Sequence, residues 1–193
     1  MSGFKLAIIV GCSRKESPNH KMAKALVKLG ADKFEAQMLS INDLPPYHHA
    51  DNTNFPIEAM RIKKEITNAD AVLIVTPEYG TTVQSALRNA IDWAGCSYNQ
   101  NAFAGKPVAI CGTSGGGTGV EAKHSLRQLL KRLKGVLMEQ PELYLRGKDA
   151  MIDSEGNVAG EGTKQFLQGF IDRYVHWVKT INYPPSRRMG GRF

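Results

Sequence analysis

The sequence predicts an α/β fold in which a parallel sheet carries helices on both faces. Three unbroken apolar runs rich in β-branched residues support this prediction, at residues 6–10, 71–75 and 108–111. Because the runs lack the alternation of a half-exposed strand, both of their faces are expected to be covered, as in parallel sheets. Helical periodicity fills the gaps between the runs. Strands and helices therefore alternate along the chain, as they do in a doubly wound sheet.

Two more strands complete a predicted set of five. Residues 34–39 (FEAQML) alternate between apolar and polar, so this strand is expected to be less buried than the run at 6–10. Residues 136–145 (VLMEQPELYL) form the last predicted strand. Pro141 within it would interrupt a central ladder, and the strand is therefore placed at a sheet edge or at a bulge.

Five helices are predicted from apolar stripes and from the glycines, prolines or polar residues that end them. Their stripe residues are, in chain order, Met22, Leu26 and Leu29; Ile62 and Ile66; Val83, Leu87, Ala90, Ile91 and Ala94; Leu126, Leu129, Leu130 and Leu133; Phe166, Phe170, Tyr174, Trp177 and Ile181. The long irregular stretch 41–56 is expected at a surface or interface. Residues 1–182 are predicted to form one domain, and residues 183–193 a flexible basic tail.

Composition and charge narrow the functional classes. No stretch approaches the roughly 20 apolar residues of a membrane span, and the N-terminus is interpreted as a mature cytoplasmic start. The three cysteines are odd in number and widely spaced, which favours a reducing compartment over a disulfide frame or zinc site. His48-His49 is interpreted as a solvated loop. We therefore expect a cytoplasmic protein that binds no metal and no membrane.

Part of the net charge of +7 lies in the C-terminal tail (PPSRRMGGRF), and part lies at residues 123–135 (KHSLRQLLKRLKG). We interpret residues 123–135 as the exposed face of an amphipathic helix. A nucleic-acid surface would carry aromatic residues among the basic ones, and this stretch has none. A basic surface would still attract an anionic small molecule such as a phosphorylated dinucleotide.

The loop after the first run combines several anion-binding features. In doubly wound sheets ligands bind beyond the carboxyl ends of the strands, where the strand order reverses. Residues 11–21 (GCSRKESPNHK) supply a glycine, polar side chains at Ser13, Ser17 and Asn19, the guanidinium of Arg14 and a helix N-terminus. This combination favours a phosphate site. The alternative is that Ser17 only caps the helix and Arg14 is simply solvated.

The loops after the third and fourth runs suit a flat ligand. Pro77 fixes the backbone, Gly80 allows close approach, and the ring of Tyr79 can lie against another ring. Residues 112–119 (GTSGGGTG) expose backbone N–H groups. The alternatives are a half-buried packing role for Tyr79, a solvated or helix-capping carboxylate at Glu78, and a merely flexible glycine loop.

These motifs resemble those of the NADPH-dependent FMN reductase family, a flavodoxin-like group that includes quinone, chromate and azo-dye reductases. The family's first loop, G-S-x-R-x-x-S-x-N, corresponds to residues 11–19, with Cys12 in place of the usual serine. Its P-E-Y turn and L-K-N-A-I-D-W helix correspond to residues 77–79 and 87–93, and its Gly/Ser-rich turn to 114–119. The similarity extends to about residue 180. It implies a flavodoxin-like five-stranded sheet in the order 2-1-3-4-5.

The resemblance implies an FMN site built from all three loops. Arg14, Ser17 and Asn19 would hold the phosphate, and Ser13 or backbone N–H groups would compensate for the weak donor at Cys12. The isoalloxazine would lie along the second loop and be flanked on its pyrimidine side by the third. The predicted cofactor-binding residues are Ser13, Arg14, Ser17, Asn19, Pro77, Glu78, Tyr79, Gly80, Ser114, Gly115 and Gly116.

The implied activity is ping-pong hydride transfer from NADPH, or alternatively NADH, through the flavin N5 to a quinone, azo compound, chromate or free flavin. Backbone N–H groups at 116–118 would stabilise charge on the reduced ring, so no catalytic side chain is predicted. A homodimer or homotetramer is implied, with Trp93 and residues 41–56 as candidate contacts unless Trp93 is core. Cys12 is alternatively a reactive thiol. The rival functions are a flavodoxin-type electron carrier and a flavin-free regulatory dimer.

Overall fold

The β-branched runs form a parallel sheet, and the amphipathic stretches between them form helices on both of its faces. The computed structural model describes residues 3–12, 14, 16–48, 55–77, 82–96, 100–114, 120–146 and 151–184. The strands are β1 (Phe4–Val10), β2 (Phe34–Leu39), β3 (Ala71–Val75), β4 (Pro107–Ser114), β5 (Val136–Leu137) and β6 (Leu143–Arg146). The helices are α1 (Pro18–Leu29), α2 (Ile57–Asn68), α3 (Ser85–Gly95), α4 (Val120–Arg132) and α5 (Glu161–Asn182).

The strand order confirms the predicted doubly wound, flavodoxin-like sheet. The strands lie in the order β2-β1-β3-β4-β5, and neighbouring strands among them run parallel. The order reverses at β1, whose neighbours are β2 on one side and β3 on the other. Because β1, β3 and β4 are parallel neighbours, the loops that follow them leave the sheet side by side at the carboxyl ends of the strands, as the sequence predicted.

The last predicted strand is wrong in one respect, because residues 136–145 form two short strands. β5 pairs with β4 at Pro107 and Val108, whereas β6 pairs with β4 from Cys111 to Ser114. Pro141 lies between them and has no N–H to donate, so a continuous ladder through it is not possible. The expected place of this segment at the sheet edge is confirmed.

The sheet is buried on both faces, which explains the unbroken apolar runs. Along β1, Ile8 faces the layer that contains α1 and α5, whereas Ile9 faces the layer of α2, α3 and α4. Both side chains are fully buried. In β2, which lies at the other edge of the sheet, three of six residues are exposed, so this strand is less buried than β1, as predicted.

The buried stripe of α5 differs by one position from the predicted stripe. Phe166 is 53% exposed, whereas the adjacent Leu167 is fully buried. Phe170 and Tyr174 belong to the core as predicted, and the buried face continues through Val178. The prediction that Phe166 belongs to the buried stripe is therefore wrong, because the orientation of the helix directs this position away from the sheet.

Trp93 belongs to the core of the single chain, so its alternative assignment as an oligomer contact is wrong. Its side chain is fully buried, and its Nε1–H donates to the carbonyl of Pro45 at 2.8 Å. The rings of Tyr47 and Phe55 meet it edge-on, with centroids 4.9 and 5.1 Å away. The described part of the irregular stretch 41–56 is thus packed onto α3.

Candidate active site

The carboxyl ends of β1, β3 and β4 are held side by side by backbone hydrogen bonds that continue past the strands. Gly11, the first residue after β1, donates its N–H to the carbonyl of Val75 at 2.8 Å. Thr76, the first residue after β3, donates to the carbonyl of Cys111 at 2.9 Å. The described ends of the three predicted loops therefore converge.

Two glycines permit a close approach of these strand ends. A Cβ at position 11 would lie 2.8 Å from both Thr76 Oγ1 and Leu87 Cδ2. A Cβ at position 112 would lie 1.7 Å from the carbonyl oxygen of Thr76, which is far inside any possible contact. The sequence can pack β3 against β4 in this way only because residue 112 has no side chain.

Ser17 is the N-cap of α1. Its Oγ accepts the N–H of His20 at 3.3 Å, and its own N–H donates to the carbonyl of Arg14 at 3.1 Å. Pro18 follows at the first helical position, where its missing N–H costs nothing. The side chain of Ser17 is thus occupied as a cap, as the alternative interpretation held, which leaves backbone N–H groups of the first turn to face a ligand.

His20 joins the cap to the first loop. Its Nδ1 lies 3.0 Å from Ser17 Oγ. Burial lowers the pKa of His20, and a hydrogen bond to the backbone of Arg14 acts in the opposite direction. A neutral imidazole can accept a hydrogen bond at Nδ1 from the Ser17 hydroxyl. The His20 ring therefore holds the side chain of Ser17 in its capping position.

Asn19 lies between the first and third loops. Its side chain is only 2% exposed, and its Oδ1 accepts the N–H of Thr113 at 3.1 Å. The two residues are 94 positions apart in sequence. Only the amide nitrogen of Asn19 is left to face a phosphate.

Arg14 is exposed and forms no ion pair with any residue in the described ranges. It precedes the N-terminus of α1, a helix of 12 residues. The first N–H groups of a helix have no acceptor within the helix, and its N-terminus carries positive partial charge. A guanidinium that is not neutralised beside such a terminus fits the phosphate of FMN.

A small cleft, with a cavity volume of about 10 Å³, lies beside the end of β3 on the α4 side. Pro77 is buried and lines it together with Thr76, Thr82, Val83, Gln84, Ala122, Lys123, Leu126 and Tyr144. In the sheet, Tyr144 pairs with Gly112. The Lys123 ammonium lies 4.9 Å from the centre of the Tyr144 ring and 2.5 Å from Glu142 Oε2. This cleft has room for about one water molecule, so it borders the strand ends where a flavin ring is expected and is not itself a site for the ring.

The basic residues of α4 differ from their predicted role as a wholly exposed face. The side chains of Lys123 and Arg127 are only 16% and 11% exposed. Both pair with Glu142, which immediately precedes β6. Their charges therefore hold the β6 edge against α4, whereas Lys131 is exposed as predicted.

Several predicted site residues lie outside the described residues, namely Ser13, Glu78, Tyr79, Gly80, Gly115 and Gly116. Ser114 ends β4, and only its backbone is described. The structure brings Arg14, Ser17, Asn19 and Pro77 to the same edge of the sheet. Their part in binding FMN stays a prediction.

Sequence reasoning missed three residues at this edge. His20 follows Ser17 by three positions, which is the spacing of a capping box, and this signal could have identified it. Thr113 and Tyr144 carry no comparable signal, because their roles depend on contacts with residues distant in sequence. Among the described residues, no cluster of three or more His, Cys, Asp or Glu is arranged to hold a metal ion. None of the described helices combines the length and apolar character needed to cross a bilayer.

Comparisons with known proteins agree with this geometry. The family model "NADPH-dependent FMN reductase" matches residues 4–149. A 2-hydroxy-1,4-benzoquinone reductase of a Burkholderia species is 41% identical over 91% of this chain and 97% of its own. A quinone reductase of Pseudomonas putida is 40% identical over 91% of this chain and 95% of its own. The solved structure of FerB, a flavoenzyme NAD(P)H:(acceptor) oxidoreductase from Paracoccus denitrificans, is 39% identical, covers 92% of this chain and 98% of its own, and superimposes with a TM-score of 0.85.

Proposed function

The chain belongs to the NADPH-dependent FMN reductase family, and on that premise we propose that this FMN-dependent NAD(P)H oxidoreductase reduces a quinone. The observation that carries the proposal is the convergence of the strand ends after β1, β3 and β4 beside the exposed Arg14 and the N-terminus of α1. The quinone is supported by the relatives named as quinone reductases, which align over nearly the whole chain.

The phosphate of FMN would bind at the first loop. The planar guanidinium of Arg14 can donate two parallel hydrogen bonds to a phosphate. Such charge-assisted hydrogen bonds are stronger than hydrogen bonds between neutral groups. Backbone N–H groups at the start of α1, together with Ser13 and the amide nitrogen of Asn19, would complete the set of donors. Ser17, whose side chain caps α1, would contribute by holding the turn. The Ser17 cap and His20 hold this loop in place before any ligand arrives.

The isoalloxazine would lie at the ends of β3 and β4. Pro77, Glu78, Tyr79 and Gly80 would form one wall, largely through their backbone, and Ser114, Gly115 and Gly116 would flank the pyrimidine side. The buried Pro77 and the absence of a side chain at Gly112 support this placement, because they keep the described part of the wall flat and close.

When bound, FMN supplies the redox chemistry: it accepts a hydride from the nicotinamide and passes the electrons to the acceptor. The protein's part is to bind and to orient. A single open cavity over the ring would admit NADPH, or NADH, and the quinone in turn, which corresponds to ping-pong kinetics. We assign no side chain as general acid or base.

We further propose a homodimer or homotetramer in the cytoplasm. Ile57 and Met60 leave apolar side chains exposed on the outer face of α2, which an association of subunits would cover. Cys12, Cys96 and Cys111 are free thiols, as expected in a reducing compartment.

The test is an anaerobic titration of protein purified without added cofactor. The proposed function predicts bound FMN, loss of its visible absorbance on addition of NADPH, and recovery with benzoquinone, together with steady-state turnover. A flavodoxin-type electron carrier would bind FMN without turnover of the nicotinamide. A flavin-free regulator would stay colourless even after incubation with excess FMN, and either result would contradict the proposal.

A further inference from the structure

Five residues at the carboxyl edge of the sheet contact one another in an unbroken chain, and we call them the rim cluster: Gly11, Asn19, Thr76, Gly112 and Thr113. Gly11 lies against the side chain of Thr76, and the carbonyl of Thr76 lies against Gly112. Thr113 donates its N–H to Asn19 Oδ1, which also lies beside Gly112. The cluster therefore joins the first loop of the site to the ends of both β3 and β4.

Asn19 supplies a hydrogen-bond acceptor to β4 at a point where the neighbouring strand β3 has already ended. Successive residues of a strand direct their backbone groups to opposite sides. The carbonyl of Cys111 faces β3, where it accepts the N–H of Thr76, and the N–H of Thr113 faces the same side. Since β3 ends at Val75, the ladder needs another acceptor there, and the side chain of Asn19 supplies it from α1. The contact uses the amide oxygen, because only the oxygen can accept an N–H.

The contact is well protected from competing water. Asn19 is 2% exposed, and its partner is a backbone group of a central strand. A buried N–H that loses its acceptor bears the full penalty of desolvation. The end of β4 is therefore expected to move if the amide oxygen is removed.

We propose that Asn19 is a positioning residue that fixes the end of β4 against α1, and that it thereby supports binding of the flavin ring as well as of the phosphate. This inference rests on the proposed function, because it assigns the ring to the end of β4. It differs from a role as a phosphate ligand alone. Replacing a residue that binds only the phosphate would weaken the binding of FMN but not of riboflavin, which has the same ring without a phosphate.

The experiment compares the affinities of wild type, Asn19→Ala and Asn19→Asp for FMN and for riboflavin, followed by quenching of flavin fluorescence. We expect Asn19→Ala to weaken both ligands by a similar factor of about tenfold or more, since Thr113 loses its acceptor. We expect Asn19→Asp to bind riboflavin within about threefold of wild type, because a carboxylate still accepts the N–H, and to bind FMN more weakly, because it repels the phosphate.

Hydrogen exchange at the Thr113 amide gives a second readout that does not depend on flavin. Exchange should accelerate in Asn19→Ala and stay near the wild-type rate in Asn19→Asp. If Asn19→Ala does not fold, the inference requires that Asn19→Asp folds and still binds riboflavin, because both results depend on the acceptor for the Thr113 N–H; an Asn19→Asp protein that also fails to fold or to bind riboflavin would contradict it.

Two results would overturn the inference. One is an Asn19→Ala protein that binds riboflavin within twofold of wild type while FMN is lost. The other is an Asn19→Asp protein that loses riboflavin as completely as the alanine variant. Failure of the proposed function would look different, because wild type itself would then bind neither flavin, or would bind FMN without turnover of NADPH.

Discussion

Replacement of Gly112 by alanine is the sharpest structural perturbation of the candidate site. The added Cβ would lie 1.7 Å from the carbonyl oxygen of Thr76 and 2.8 Å from its carbonyl carbon. These are backbone atoms of an adjacent strand end, so no side-chain rotation relieves the clash. The ends of β3 and β4 would have to separate by more than 1 Å, against the hydrogen bond from Thr76 N–H to Cys111.

The expected cost follows from the nature of the clash. Overpacking a core typically costs about 1–3 kcal/mol, and a backbone-to-backbone clash belongs at the upper end of that range. For a chain of 193 residues, each kcal/mol lowers Tm by about 2–4 °C, so a drop of roughly 6–12 °C is expected. FMN affinity should fall at least about tenfold, because the displaced strand ends border the proposed ring site.

Gly169→Ala is the matched control. Gly169 lies within α5, and a Cβ there would meet nothing within 4 Å. Alanine in a helix is favoured over glycine by up to about 1 kcal/mol, so this variant should be as stable as wild type or more stable. Urea unfolding and flavin titration of both variants provide the measurement. A Gly112→Ala protein as stable as Gly169→Ala, with unchanged FMN affinity, would refute the packing argument.

Two further predictions concern buried groups in the core. Lys63 is 5% exposed and donates to the carbonyls of Ala94 and Cys96 at the end of α3. Lys63→Met should therefore lower the free energy of unfolding in urea by about 2 kcal/mol. The control Lys64→Met, at an exposed position, should change it by no more than about 0.5 kcal/mol. Equal losses in the two variants would contradict this. Burial raises the pKa of the Cys111 thiol, so the unfolded chain releases that proton first, and the free energy of unfolding should fall as pH rises above about 8.5. The slope between pH 8.5 and 10.5 should be shallower in Cys111→Ala, and an identical slope would contradict the assignment.

The sheet could be predicted from sequence because its signals are local. The runs at 34–39 and 71–75 coincide with β2 and β3 at both ends. Burial on both faces explains why such runs are continuous, and that relation needs no knowledge of partners. The exception is the segment 136–145, where the polar residues 139–142 around Pro141 divide the predicted strand into β5 and β6.

The candidate site was predictable only in part. The first loop and Pro77 could be identified from residue types and from the order of strands. The contact between Asn19 and Thr113, the fit of Gly112 against Thr76, and the position of Tyr144 in the cleft depend on residues far apart in sequence. The buried stripe of α5 was displaced because a 22-residue helix offers several apolar stripes, and contact with the sheet selects among them.

The central claim is that the FMN phosphate binds at the loop that contains Arg14, and the most direct test is the ratio of riboflavin to FMN dissociation constants. Wild type should bind FMN far more tightly than riboflavin. Arg14→Ala should lose about 10- to 150-fold in FMN affinity, the value of a charge-assisted hydrogen bond, with riboflavin affinity unchanged. Arg132→Ala, which removes the same charge at an exposed position on α4, should leave the ratio at its wild-type value. If the ratio in Arg14→Ala equals that of wild type, the phosphate does not bind at this loop.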